Sequence, residues 1–515
     1  MAKNSARSDD AVPTCHGQPA PHVDEAQLAA SRHACHIVRD VCTFNATLFP
    51  RKPVNEKVRS LQVRSPSYSH HSLALHEWFG LKPAIAGSQA AALVRRRLRR
   101  HGYSACVPLI WLPVWALNFY ETMQNSVPPL HEMLVTTRAL DRRVLLRPDL
   151  GHSVWWWRRP KYIDALLQPF STHSVRMLRE VAPVCLPHQA EATLRRDDNH
   201  TRRCTTECFS QLVVCSPKSV FDEDRFAQPS SPYRAAQYVA ARHLNGEGTA
   251  EAANAGATAG AEAPAAAPAA AGRAWPTLRV LFVNRTVTAT GRAGKRDSSK
   301  ENIHNLPHLL SRCHAHPTLR LSATPSFSSP PPPPGNRAGF AATGFGAPLL
   351  TTAATNVTSV RRVRLACAVH AFGRKLAEDI RRVRRADVLV GTHGAALSHA
   401  LFMERGASLV EVRAYGFEGR WADAYMKKHL RAEDAIFHFH VGTATPALMH
   451  PRPPPDVKGW TARDNRAVEL PWRTLAQVLR TVVQADRSVE AYRSLPSRSF
   501  WSRAPDDSGS ILEYR

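Results

Sequence analysis

Several features that would classify a chain at once are missing from these 515 residues. No apolar run approaches the roughly 18 residues that cross a bilayer, so no membrane-spanning helix is readable. Met1 to Glu25 is polar, carries Asp9 and Asp10, and lacks the apolar core of about seven or more residues that marks a signal peptide. There is no internal repeat, which excludes solenoid and propeller architectures. The ten cysteines include no Cys-x-x-Cys pair, so the spacing of a structural zinc site is absent even around Cys185, Cys204, Cys208 and Cys215. Acidic residues are scarce: 42 Asp+Glu stand against 68 Lys+Arg, a net charge of +26. That field favours anionic partners, among them nucleotide diphosphates, acidic glycans, nucleic acid or an anionic membrane face.

What is present is unevenly distributed. The densest basic run is Arg95-Arg96-Arg97-Leu98-Arg99-Arg100, read as a solvated helix face in preference to a phosphate stripe, since no nucleic-acid fold signature accompanies it. Residues 246–272 are Ala/Gly/Glu/Pro-rich and read as a linker, while 326–346 contain Pro330 to Pro334 and read as a polyproline II loop. Asp222-Glu223-Asp224 has the Asp-x-Asp form of a metal–nucleotide ligand but precedes a polar, Pro-rich stretch, so a solvated loop is expected. Trp155-Trp156-Trp157 offers aromatic faces to a sugar ring, and His438-Phe439-His440 alternates as a strand with both histidines on one face, expected at the surface. Asn45, Asn199, Asn284 and Asn356 open Asn-x-Thr sequons, a weak excess that leans towards a secretory compartment. In such a compartment disulfides are expected, notably Cys35–Cys42.

The most informative stretch runs from Ala386 to Val412. Val388 to Val390 reads as a buried strand, followed by a Gly-rich turn, a short helix, and a second strand from Ser408 to Val412 that carries Glu411. Leu397, Ala400 and Leu401 fall at i, i+3 and i+4, giving that helix one apolar face. A strand, Gly turn and helix start form an anion site, because free N–H groups and the helix dipole point at the same place. Gly391 and Gly394 admit a phosphate close to the backbone, and His393 adds a directed donor. Glu411, near the end of the next strand, is placed to accept from ribose hydroxyls. Upstream, a strand from Leu278, a helix near Asn305 to Cys313, a strand around Val360 to Leu365 and a helix from Phe372 to Arg385 continue the alternation, which implies a parallel sheet covered on both faces. Arg143 to Leu146 and Phe209 to Val214 read as further buried strands.

These residues resemble the signature of glycosyltransferase family 61. The matching positions are Gly391-Thr392-His393-Gly394-Ala395, then Phe402, Gly406-Ala407 and Glu411. In the expected order upstream lie Pro113 to Phe119, Cys208 to Val214, Leu278 to Arg285 and Asn302-Ile303-His304-Asn305-Leu306. The resemblance spans roughly residues 105 to 430, and only the Gly-x-His-Gly-Ala motif is specific alone. Two departures stand out. Glu121 occupies the place of the family's histidine three residues after Asn118, and the arginine cluster before the Asn302 element is thinned to Arg292, Lys295 and Arg296.

The resemblance implies an α/β chain with two Rossmann-like domains facing a cleft, the GT-B arrangement. The expected division is a tail at 1–34, disordered or cut short; an acceptor-side domain at 35–245; the linker at 246–272; a nucleotide-sugar-binding domain at 273–450; and a segment at 451–515 packing back on both. It further implies inverting transfer of N-acetylglucosamine, xylose or arabinose from a UDP-sugar to a glycan, glycoprotein or polysaccharide, without a divalent metal or other cofactor. Arg285, Asn305, Gly391, His393, Gly394, Ala395 and Glu411 are the expected donor-binding set. Asn118 marks the acceptor side, Glu121 is the candidate base, and His393 a second catalytic candidate. No nucleic-acid partner is expected. Relatives are commonly lumenal, in the Golgi or endoplasmic reticulum, and many are held by an N-terminal helix. A missing or misassigned start is therefore the expectation for this chain, with membrane association through that anchor. The other class of reading is a relative without catalysis that binds sugars or partners; the weakest is a basic nucleic-acid-binding protein.

Overall fold

The computed structural model describes residues 34–44, 47–50, 107–111, 119–137, 144–147, 161–171, 175–177, 207–216, 231–245, 277–284, 302–321, 361–373, 375–417, 433–454 and 466–502, with a few short pieces besides. Strands and helices mix throughout, and two seven-stranded sheets organise them.

The first sheet contains β1 (Ala34–Phe44), β2 (Thr47–Pro50), β3 (Lys82–Pro83), β4 (Pro108–Trp111), β5 (Val144–Arg147), β6 (Arg176–Met177) and β7 (Glu207–Ser216), in the order β3-β2-β1-β7-β4-β5-β6. Its middle is antiparallel, with Cys42 opposite Cys208 in the β1–β7 register, and a disulfide joins the two. The expected Cys35–Cys42 bridge is thereby corrected. Both residues sit on the one extended strand β1, seven positions and so about 23 Å apart, far beyond disulfide reach. A second disulfide links Cys313 to Cys367.

The second sheet contains β8 (Thr277–Val283), β9 (Thr318–Leu321), β10 (Arg361–His370), β11 (Val388–Thr392), β12 (Ser408–Arg413), β13 (Phe437–Thr443) and β14 (Ser499–Ser502). Its order is β9-β10-β8-β11-β12-β13-β14, and every pairing is parallel except β9 with β10. The expected alternation is present with shifted bounds. The helix after β8 is α5 (Leu306–Ala315), and the strand expected to stop at Leu365 continues to His370. The helix expected from Phe372, α6 (Leu376–Arg384), begins only at Leu376, because Gly373, at φ +101°, makes the preceding turn in a region that L side chains rarely adopt.

Both faces of this sheet are covered. On one, Val280, Phe282, Val390, Val410 and Phe439 pack with Leu309 of α5 and with Leu475 and Leu479 of α7 (Trp472–Ala485). On the other, Val283, Leu389 and Leu409 join a core that also takes in Leu109, Trp111 and Val213 of the first sheet. Between the sheets lie α1 (Phe119–Asn125), α2 (Val127–Thr136), α3 (Lys161–Leu167), α4 (Pro232–Asn245), α6 (Leu376–Arg384) and a 3₁₀ helix at Ala395–Phe402. That helix was expected to be amphipathic. Instead Leu397, Ser398, His399, Ala400, Leu401 and Phe402 are all buried, because α1, α4 and α6 enclose it. Among the described residues no helix is long and apolar enough to cross a membrane.

Candidate functional site

Strand β8 lies between β10 and β11, and the chain passes from β10 through α6 across β8 to β11, so strand order reverses at β8. In open α/β sheets ligands bind beyond the carboxyl ends of the strands at such a reversal. The segments that emerge there are Asn284 after β8, His370 to Gly373 after β10, and His393-Gly394 after β11.

His393 is 5% exposed, and its backbone N–H donates to the Val412 carbonyl at 2.9 Å, which ties the turn to β12. The ring lies 4.7 Å from that of Phe417, and its Nδ1 hydrogen-bonds to Oε1 of Glu411. Glu411 is completely buried. Its second oxygen, Oε2, accepts from Nε2 of His438 at 2.8 Å and from Nε and Nη2 of Arg413 at 3.2 and 3.0 Å. Burial alone would raise the Glu411 pKa, but hydrogen bonds and charge from His393 and His438 outweigh it and hold the carboxyl well below its ordinary value. An ionised Glu411 accepts, so His393 donates from Nδ1 and turns Nε2 to the opposite side of its ring. Beyond the turn, Gly394, Ala395 and Ala396 are half-buried and open the 3₁₀ helix. The first N–H groups of a helix have no upstream carbonyl within it to bond.

Three expected donor residues have other tasks here. Glu411 was expected to meet ribose hydroxyls; with both oxygens engaged and no exposed surface, it instead positions the His393 ring. Asn305 exchanges two hydrogen bonds with the Leu470 backbone, at 2.9 and 3.0 Å, and so fastens the start of α5 to the chain before α7. A Cβ on Gly391 would lie 2.9 Å from Cβ and Cγ2 of Val283 and 3.0 Å from Cδ2 of Leu397, so glycine is required there by packing. Gly394 has nearly extended backbone, φ 159° and ψ 175°.

A second polar cluster adjoins the turn. Asp379 of α6, 2% exposed, accepts from His370 Nε2 at 2.7 Å and from the Gly373 N–H at 2.9 Å. His399 faces it at 3.8 Å. Burial pushes the His399 imidazole down to about 4, although Asp379 and the Ala396 carbonyl act upward. Neutral at physiological pH, it hydrogen-bonds from Nδ1 to Ala396 O at 2.8 Å. Phe119, at the start of α1, stacks on this ring at 4.4 Å and 8°. Phe119, the last residue of the segment that resembles the family's acceptor side, thus touches the 395–402 helix.

Glu121 lies in α1, one turn or less from Phe119, but its side chain is outside the described residues. Asn118 and Arg285 are outside them too, as are Arg95 to Arg100, Trp155 to Trp157 and Asp222 to Asp224. His438, expected at the surface, is 3% exposed and bound to Glu411, because β13 is an interior strand. Neither His438 nor Arg413 was singled out for the site. The signal for both was the alternation Glu411-x-Arg413 beside His438-x-His440 on adjacent parallel strands. No protein-family model matches this chain, and no curated protein matches it.

Proposed function

We propose that this chain is an inverting, UDP-sugar-dependent glycosyltransferase of the family 61 type, in which the second sheet binds the donor. One observation carries the reading most: His393 stands beyond the carboxyl end of β11, at the strand-order reversal, with its ring held from behind by the buried Glu411 carboxylate. Breaking a sugar–diphosphate bond leaves negative charge on the nucleotide, and preorganised donors there lower the barrier. His393 and the amides of Gly394, Ala395 and Ala396 are the donors the turn supplies; Arg285, two residues beyond β8, is the cation proposed to join them.

On this reading the two sheets are the cores of the two GT-B halves, and α1 brings the acceptor side to the donor turn. Glu121 is the proposed base for the acceptor hydroxyl, since inversion by single displacement needs one. Acceptors are a glycan, a protein hydroxyl or a polysaccharide, in a lumenal compartment. The disulfides Cys42–Cys208 and Cys313–Cys367 favour such an oxidising setting. A sugar- or partner-binding relative without catalysis is the second reading, favoured by the close packing of Phe119 on His399 where an open cleft is expected.

Calorimetric titration separates donor binding from its absence. UDP binds more tightly than uridine, and His393→Ala removes most of that difference, about a factor of 10 to 100 for one charge-assisted contact. Equal affinity for UDP and uridine, or indifference to the substitution, would contradict the assignment.

A further inference from the structure

At β13 and β14 the second sheet carries a cavity of about 220 Å³ that the proposed donor turn does not use. Its walls are His438 and His440 of β13, Tyr492 and the residues that lead from α8 (Val489–Ser494) into β14, among them Ser497, Arg498 and Ser499. His438 pairs with Leu409, His440 pairs with Glu411 and with Ser499, and β12 separates β13 from β11, so the cavity lies beside the Glu411 level of the sheet while the His393 turn lies beyond the end of β11.

The composition of the wall is one-sided. Among the described residues it holds an arginine, two histidines, two serines and a tyrosine, and no carboxylate. Two acids whose partners adjoin the wall are engaged in these contacts, Asp434 with Arg493 at 2.7 Å and Glu411 behind His438 at 2.8 Å. The wall is also built. The Arg498 guanidinium rests 5.0 Å from the centre of the Tyr492 ring, and the Arg498 carbonyl accepts from the His440 N–H at 3.1 Å. Ser497 Oγ bonds the Ser499 carbonyl and N–H at 2.8 and 3.1 Å, which shapes the loop. Tyr492 is fixed in turn by His438, whose N–H and carbonyl its hydroxyl engages at 3.2 and 2.9 Å. The Tyr492 and Ser497 hydroxyls donate within the wall and Ser499 Oγ lies 3.4 Å from His440 Nδ1, so it is the Arg498 guanidinium, beside the His440 ring, that gives this small space its charge and matches it to a tetrahedral or carboxylate oxyanion.

We propose that this cavity is a binding site for a small oxyanion group, a phosphate or a sugar carboxylate, distinct from the donor turn and touching Glu411 through His438. The test titrates the full chain with inorganic phosphate and, separately, with glucuronate, in the parent and in Arg498→Gln and His440→Gln, following heat and thermal stability. At least one probe saturates on the parent, and both substitutions weaken it tenfold or more; the probe that saturates identifies the source of the oxyanion. UDP affinity is the same in both variants as in the parent. Two variants guard against one that misfolds, and failure of UDP to bind at all would leave the phosphate and glucuronate titrations readable. Absence of saturation by either probe, or parental affinity in both variants, would overturn the proposal.

Discussion

At the scale of single residues the account turns on Glu411. A carboxylate with no exposed surface is costly unless its charge is compensated, and Arg413, His393 and His438 supply the compensation. Glu411→Gln keeps the shape but removes the charge that Arg413 meets at 3.0 Å and that both histidines hydrogen-bond. The expected cost is about 3–5 kcal/mol at neutral pH. The pH dependence has a definite sign. The folded-state pKa of Glu411 is depressed, so its contribution is complete above the unfolded value of about 4.3 and is lost as pH falls through the lower folded value. Urea unfolding at pH 7 and at successive steps below pH 4 measures this. The parent loses stability across that acid range more steeply than Glu411→Gln; parallel curves would show that Glu411 is not the ionised centre of the cluster.

Elements were readable where local pattern and final burial agree. The apolar run Val388 to Val390 became an interior parallel strand, and the spacing in 376–383 became an amphipathic helix that buries Leu376, Ile380 and Val383. The turn between β11 and β12 is readable as a unit, but the sequence reading gives Gly391 and Glu411 to a ligand, because sequence does not show what crosses from a neighbouring strand. Val283 comes from β8, more than a hundred residues earlier, and fills the space beside Gly391. His438 comes from β13 and takes an oxygen of Glu411. The bridge from Cys42 to Cys208 was out of view for the same reason, being fixed by long-range antiparallel register. Gly391→Ala tests the packing role. Val283 is β-branched and stiff, so the added methyl forces strand β8 away and is expected to cost about 1–3 kcal/mol in urea unfolding. Unchanged stability would show that the contact relaxes freely and would restore a ligand-facing role for this glycine.

At the scale of the whole molecule, the apolar core is shared between the two sheets. Leu109 and Trp111 from one and Val283 and Leu389 from the other belong to a single cluster, with the 395–402 helix enclosed inside it. Helix α1 packs directly on the 395–402 helix that follows the His393 turn, Phe119 on His399. If the reading as a transferase is right, donor and acceptor groups meet where α1, the 395–402 helix and the His393 turn converge, and the protein's own cations and amides carry the leaving-group charge. The most direct measurement is UDP release from a panel of UDP-sugars in excess EDTA, with the anomeric configuration of the product read by NMR. The account predicts turnover that survives EDTA, a product inverted relative to the donor, and a loss of about a hundredfold to ten-thousandfold in Glu121→Gln. No release from any UDP-sugar, or release that EDTA abolishes and manganese restores, would contradict it.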